Sequence, residues 1–177
     1  MEQKHHVFKL PFHTVGSHSE ASFVLDAGEE MSAFLQFDLS GGKGAVIELL
    51  YSECYVTDEG KRNRADAVRG HLEGYTDYYT VRGFTHESYE PFWFRTFRFL
   101  QVTIRTSDEP LTLNALDYDE TGYPLQVRTS VTTSDPTLVL VWEIVRRFRR
   151  HLLLNVPCTK HCGLDSNPYP HIENVAT

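Results

Sequence analysis

Tyr89-Glu-Pro-Phe-Trp-Phe-Arg-Thr-Phe-Arg-Phe-Leu-Gln-Val-Thr-Ile-Arg105 is the most apolar and aromatic run of the chain. Aromatic and β-branched residues suit a pleated, half-buried surface, so residues 93–105 read as a long central strand. Pro91 can precede such a strand but cannot sit within it. Phe97 and Phe99 share one parity, whereas Leu100, Val102 and Ile104 share the other. The apolar side therefore flips near residues 99–100. That requires a strand buried on both faces or a bulge. Arg95 and Arg98 lie between the aromatic residues, where an arginine must pair, stack or reach a surface.

The segments on either side fit the same sheet-forming pattern. Leu35, Phe37 and Leu39 alternate with Gln36 and Asp38, the period of a sheet with one solvated face. Ile47, Leu49 and Tyr51 repeat the alternation after the turn cluster Ser40-Gly-Gly-Lys-Gly44, so residues 31–51 are expected to form a hairpin. Further strands are expected at 5–12, 22–26, 75–82, 111–118 and 125–131. Residues 84–89 are expected to pair with the strand at 75–82. Residues 54–74 carry charge and little apolar periodicity, and read as a long loop.

Ser134-Asp-Pro-Thr137 opens a helix, with Ser134 or Asp135 as cap and Pro136 in the first turn. Leu138, Val141, Trp142, Val145, Phe148 and Leu152 form an apolar stripe at helical spacing, with Arg146, Arg147, Arg149 and Arg150 late in the helix. Beyond Asn155 no periodicity survives. The expected fold is mainly β: an antiparallel, jelly-roll-like β-sandwich over residues 1–132, a helix over 133–153 and an irregular tail over 154–177.

A net charge of −7 argues against a nucleic-acid partner. No apolar run is long enough to span a membrane. The amino terminus shows no secretory leader, which leans toward a cytoplasmic location and leaves the compartment open. Three cysteines form no disulfide framework. Cys158, His161 and Cys162 lie close in sequence, but a structural zinc site needs a second ligand pair, so no metal and no cofactor is expected. No two carboxylates stand out as a glycosidase pair. Gly41-Gly-Lys-Gly44 lacks the strand-to-helix setting of a phosphate loop.

A resemblance rests on an ordered series of motifs. These are Asp26-Ala-Gly-Glu-Glu30, Gly44-Ala-Val-Ile-Glu-Leu-Leu-Tyr-Ser-Glu53, Asp58-Glu-Gly60 with Arg64, Tyr75-Thr-Asp-Tyr-Tyr79, and Tyr89-Glu-Pro-Phe-Trp-Phe-Arg-Thr-Phe-Arg98. The series resembles the β-sandwich domain that precedes the (α/α)6 catalytic barrel in α-L-rhamnosidases of glycoside hydrolase family 78. The resemblance implies a non-catalytic domain of a protein acting on terminal α-L-rhamnosides. Its expected partners are a barrel in the same chain and a rhamnose-containing carbohydrate, with no nucleic acid or membrane. The family's barrel follows the helix, and these 177 residues do not contain it, so the sequence is expected to be a fragment that is inactive alone. Glu53, Arg64, Trp93, Arg95 and Arg98 become candidates for carbohydrate contact or for a domain interface, none of them catalytic. A free-standing carbohydrate-binding module is the alternative. In either case the helix stripe, lacking a barrel, is expected to leave an apolar patch exposed.

Overall fold

The computed structural model describes residues 4–57, 62–63, 67–122 and 128–152, with the side chains of 62–63 and 147–152 left undescribed. Eleven strands and one helix follow in order. They are β1 (Lys4–Val7), β2 (Thr14–Val15), β3 (Glu20–Gly41), β4 (Val46–Ser52), β5 (Tyr55–Val56), β6 (Arg62–Asn63), β7 (His71–Leu72), β8 (Tyr75–Thr80), β9 (Glu87–Tyr89), β10 (Arg95–Arg105), β11 (Leu111–Thr121) and α1 (Pro136–Leu152). Eight strands form one antiparallel sheet in the order β1-β11-β3-β10-β4-β8, with β2 added on β11 and β9 on β3.

That sheet folds on itself into a sandwich, and β3 belongs to both layers. Residues 20–26 and 31–33 of β3 pair with β10, which pairs in turn with β4, and β4 with β8. Residues 32–41 of β3 pair with β11, and 37–39 with β9. The first layer is therefore β8-β4-β10 with the start of β3. The second is β9, the end of β3, β11 and β1. Rings interlock between the layers. Phe37 meets Tyr79 edge-on at 5.1 Å and Phe97 lies 6.0 Å from Tyr118, while within the first layer Phe97 lies 5.5 Å from Tyr51. Leu35, Leu39, Ile47, Leu49, Leu100, Val102, Ile104, Leu111 and Leu116 fill the remainder of the core and are almost fully buried.

The parity flip predicted in the central strand occurs. The register of β10 on β3 runs Phe97↔Met31 and then Phe99↔Asp26, so β3 carries an excursion over residues 27–30. Phe97 and Leu100 consequently both face the core, while Phe99 turns to the other side and packs edge-on against Tyr55 at 4.8 Å. Gly28 sits at the tip with φ 85°, a backbone state that costs glycine nothing. Its N–H donates to Asp26 Oδ1 at 2.8 Å. The two strands expected at 22–26 and 31–39 are thus one strand with a bulge. Ala27-Gly28 marks the bulge, not an end.

Three pairings differ from expectation. No hairpin joins β3 to β4, because the glycine cluster carries the chain from the second layer to the first, where β10 lies between them. For the same reason β9 pairs with β3 and not with β8: the turn around Gly83 crosses between layers. Residues 54–74 are not simply loop. Tyr55 and Val56 pair with residues 62–63 and with His71–Leu72 in a small three-stranded sheet. Gly74 then leads into β8 so close to β4 that a Cβ there would meet the Tyr51 carbonyl oxygen at 1.7 Å. Residues 128–131 are not a strand, while 125–127 lie outside the described residues.

Helix α1 is capped as its sequence implies. Asp135 Oδ1 accepts the Thr137 N–H at 2.9 Å, and Pro136 opens the first turn. Its packing is unusual. Val139, Trp142, Glu143 and Arg146 line a shallow cleft against residues 129–131. Leu138, Leu140, Val141, Ile144 and Val145 fall on the opposite arc and are all exposed. Phe148 and Leu152 of the expected stripe have side chains outside the described residues. No described helix is long and apolar enough to cross a membrane.

Candidate functional site

The segment 87–98 places most of the candidate residues. It runs beside β3, with Ser88 opposite Asp38 and Tyr89 opposite Phe37, and then enters β10 with Arg95 opposite Ala33. Arg95 and Arg98 leave it on separate errands. The Arg95 guanidinium donates from Nε to Asp77 Oδ2 at 3.0 Å and from Nη2 to Asp77 Oδ1 at 2.7 Å, and lies 6.0 Å from the Tyr51 ring centre. Hydrogen bonding to Asp77 raises the Arg95 pKa further, against the opposing effect of burial. Arg98 makes the same two-pronged contact with Asp26, at 2.9 Å for both bonds, and lies over the Phe99 ring at 4.8 Å. The Arg98 bonds hold the Asp26 carboxyl below its usual range. Arg95 thus ties β10 to β8, and Arg98 clasps the bulge of β3. Both arginines pair and stack at once, as guanidinium groups between aromatics can.

Trp93 is 61% exposed and stacks on Phe94 at 5.1 Å with 24° between the rings. Phe94 is buried and meets Phe34 edge-on at 6.1 Å. Glu53 is half-buried in the bend after β4, away from segment 87–98 in sequence. Arg64 lies outside the described residues, as do Cys158, His161 and Cys162. The structure therefore brings Trp93, Arg95 and Arg98 onto one segment but sends them to different neighbours. No described group of three or more His, Cys, Asp or Glu side chains is arranged to hold a metal.

Two features escape the sequence. Glu87 is a buried carboxylate inside a cage of donors. Tyr79 Oη donates to it, as do the N–H groups of Arg82 and Gly83 at 3.1–3.2 Å. Burial pushes its pKa up, but these bonds outweigh that effect and hold the carboxyl below its usual range. The same burial raises the Tyr79 phenol. The second feature is a groove of about 280 Å³ on the outer face of the second layer, lined by Gln36, Asp38, Ser88, Glu90, Ala115 and Asp117. The outward parity of Gln36 and Asp38 is readable in the sequence. Their meeting with Ser88 and Asp117 depends on pairings that local sequence does not encode.

The model of the bacterial alpha-L-rhamnosidase concanavalin-like domain matches residues 17–118, more than half of the chain. The chain belongs to this family. The matched span runs from just before β3 into β11, so the rhamnosidase-type domain comprises most of the sandwich. An alpha-L-rhamnosidase of Streptomyces avermitilis is 32% identical over 96 residues, covering 54% of this chain and 9% of its own length. The crystal structure of a GH78 family rhamnosidase of Bacillus sp. GL1 superposes with a TM-score of 0.57 at 28% identity, over 77% of this chain and 13% of that one. The rhamnosidase-type domain described here therefore corresponds to a small part of each relative.

Proposed function

We propose that this chain is the non-catalytic β-sandwich module of an α-L-rhamnosidase-like glycoside hydrolase, and that it packs against a catalytic (α/α)6 barrel through helix α1. The observation that carries the reading is the helix. It turns Val139, Trp142, Glu143 and Arg146 to residues 129–131 and leaves five large apolar side chains exposed. A contiguous apolar face of this kind marks an interaction surface. The relatives named above are rhamnosidases several times longer than this chain, and residues 17–118 are the part that matches the family. In this role Arg95 and Arg98 are structural, fixing the strand that orders the layers.

The 177-residue chain is expected to give no turnover of aryl α-L-rhamnosides on its own. Mixed with a separately produced rhamnosidase barrel, it is expected to co-elute in size-exclusion chromatography, and the double variant Leu140→Glu/Ile144→Glu is expected not to. Turnover by the chain alone at the level of a whole enzyme overturns the reading. So does barrel binding that the double variant leaves intact. A free-standing carbohydrate-binding module remains the second reading, favoured by the groove beside segment 87–98.

A further inference from the structure

We infer that β1 is a pH-gated strap, clasped on the edge of β11 when His5 and His6 are protonated and loosened from it when they are neutral.

Little else holds this strand. It is the outermost strand of the second layer and pairs with β11 alone. Its one apolar side chain, Val7, is 70% exposed. The nearest apolar anchor is Phe8, just past the strand, which is buried and packs on Tyr118 at 4.8 Å. Residues 4–7 therefore bury little apolar surface, and a short edge of this kind opens at far lower cost than the core. Charge on its side chains then weighs heavily in whether it stays closed.

The strand lies along a run of acids. Asp117, Tyr118, Asp119 and Glu120 stand opposite Val7, His6, His5 and Lys4. On one side of the strand His5 sits between two carboxylates, with Nδ1 2.9 Å from Asp119 Oδ1 and Nε2 3.8 Å from Asp117 Oδ2. On the other side His6 lies flat on Tyr118, at 4.8 Å with 8° between the rings, and its Nε2 is 3.6 Å from Glu120 Oε2. That nitrogen is buried and makes no hydrogen bond among the described residues. The remaining titratable group of β1 is Lys4. The β3 residues paired with the acidic run, Ala33, Phe34, Leu35 and Gln36, carry no charge.

Each contact favours a charged ring. A neutral His5 donates to one carboxylate and must turn a lone pair toward the other, whereas the imidazolium donates toward both. A proton on His6 Nε2 makes the buried nitrogen a donor beside Glu120, and a cation flat on the Tyr118 ring gains the attraction of the ring face. Docking thus adds partners to the protonated form. Its share of the stability is present below the ordinary imidazole value of about 6.5 and is lost as pH rises through neutrality. The carboxylates stay ionised down to about pH 4, so docking is tightest between about pH 4.5 and 6. Above neutrality residues 4–7 release, back to the Phe8 anchor, and uncover the edge of β11.

The Phe8 N–H donates to the Leu116 carbonyl at 3.1 Å, and hydrogen-bonded pairs alternate along an antiparallel ladder, so His6 and Tyr118 form the next such pair. The test is amide hydrogen exchange of the full chain, followed by NMR at about pH 5.5 and about pH 7.5 and read as protection factors, which remove the intrinsic effect of pH on exchange. The His6 and Tyr118 amides are expected to be about threefold to tenfold better protected at the lower pH, relative to Val102 in β10. Raising NaCl from about 0.05 M to about 0.5 M at the lower pH is expected to remove much of that gain. His5→Gln/His6→Gln is expected to bring the two pH values together. Should that variant leave β1 open at both, Asp119→Asn/Glu120→Gln, which keeps both imidazoles, takes its place with the same expectation. Equal protection at the two pH values in the parent overturns the strap, as does better protection at the higher pH. A gain that salt does not touch, or that survives in the variants, overturns it too.

Discussion

The sandwich and the helix use apolar residues in opposite ways. In the sandwich, Phe97, Leu100 and Ile104 are wholly enclosed between two layers. In α1, Leu140 and Ile144 are about two-thirds exposed, and only Val139 and Trp142 among the described apolar side chains of the helix are half-buried, in the cleft against residues 129–131. Both segments look apolar in sequence, and both have the right period for their element. Periodicity reports which residues share a face. It does not report what covers that face. In the sandwich the cover is the other layer, within the chain. In the helix nothing described covers it, and the proposed cover is another domain.

The sharpest break of this contrast is Phe97→Ala. It removes the ring between Tyr51 and Tyr118 and is expected to cost about 3–5 kcal/mol in urea unfolding. A cost below that of an ordinary surface substitution would mean that the layers do not meet as described. Glu87→Gln comes next, at about 1–3 kcal/mol, because the substitution disturbs a buried, fully bonded carboxylate. It also carries a pH signature. The folded pKa of Glu87 lies below its ordinary value of 4.5, so its stabilisation is present above that value and is lost as pH falls through the folded pKa. Acid titration of stability should therefore be flatter below about pH 4.5 in the variant than in the parent. An unchanged acid limb would show that the cage does not favour the ionised form.

Asp77→Ala is expected to cost about 1–2 kcal/mol, less than a fully buried pair would, because both side chains of the Arg95–Asp77 pair keep about a quarter of their surface in water. Urea unfolding of Asp77→Ala, Arg95→Ala and the double variant would isolate the coupling, and additive effects would dismiss the tie between β10 and β8. The smallest expected effect is the most informative for the helix. Leu140→Glu/Ile144→Glu should change unfolding stability by no more than about 0.5 kcal/mol. The same variant should lose the binding of a hydrophobic dye that the parent shows. A large loss of stability would mean that the sandwich itself covers the helix.

Much of the first layer was legible in the sequence. The central strand, the flip beyond Phe97, the inward residues of β4 and the capped helix all follow from local chemistry. What was not legible has one physical cause. The turns after β3, β8, β9 and β10 each carry the chain from one layer to the other, so a tight glycine turn does not imply a hairpin. Pairing then depends on strands far away in sequence. The same cause hid the groove, whose lining comes from β3, β9 and β11. The arginines were readable as paired groups. Their partners, Asp77 and Asp26, became visible only with the register.

A strand shared by both layers also has a consequence during synthesis. Among the described residues, the partners of β3 are β9, β10 and β11, and nothing earlier in the chain pairs with its 22 residues. As the polypeptide emerges, that apolar, β-prone segment must wait with its backbone groups unpaired until residues 87–121 have been made. An unpaired edge of this length invites pairing with other chains. The bulge over residues 27–30, with Gly28 and the acidic pair Glu29-Glu30, lies in the middle of the waiting strand, where it interrupts the regular edge that a second nascent chain would need.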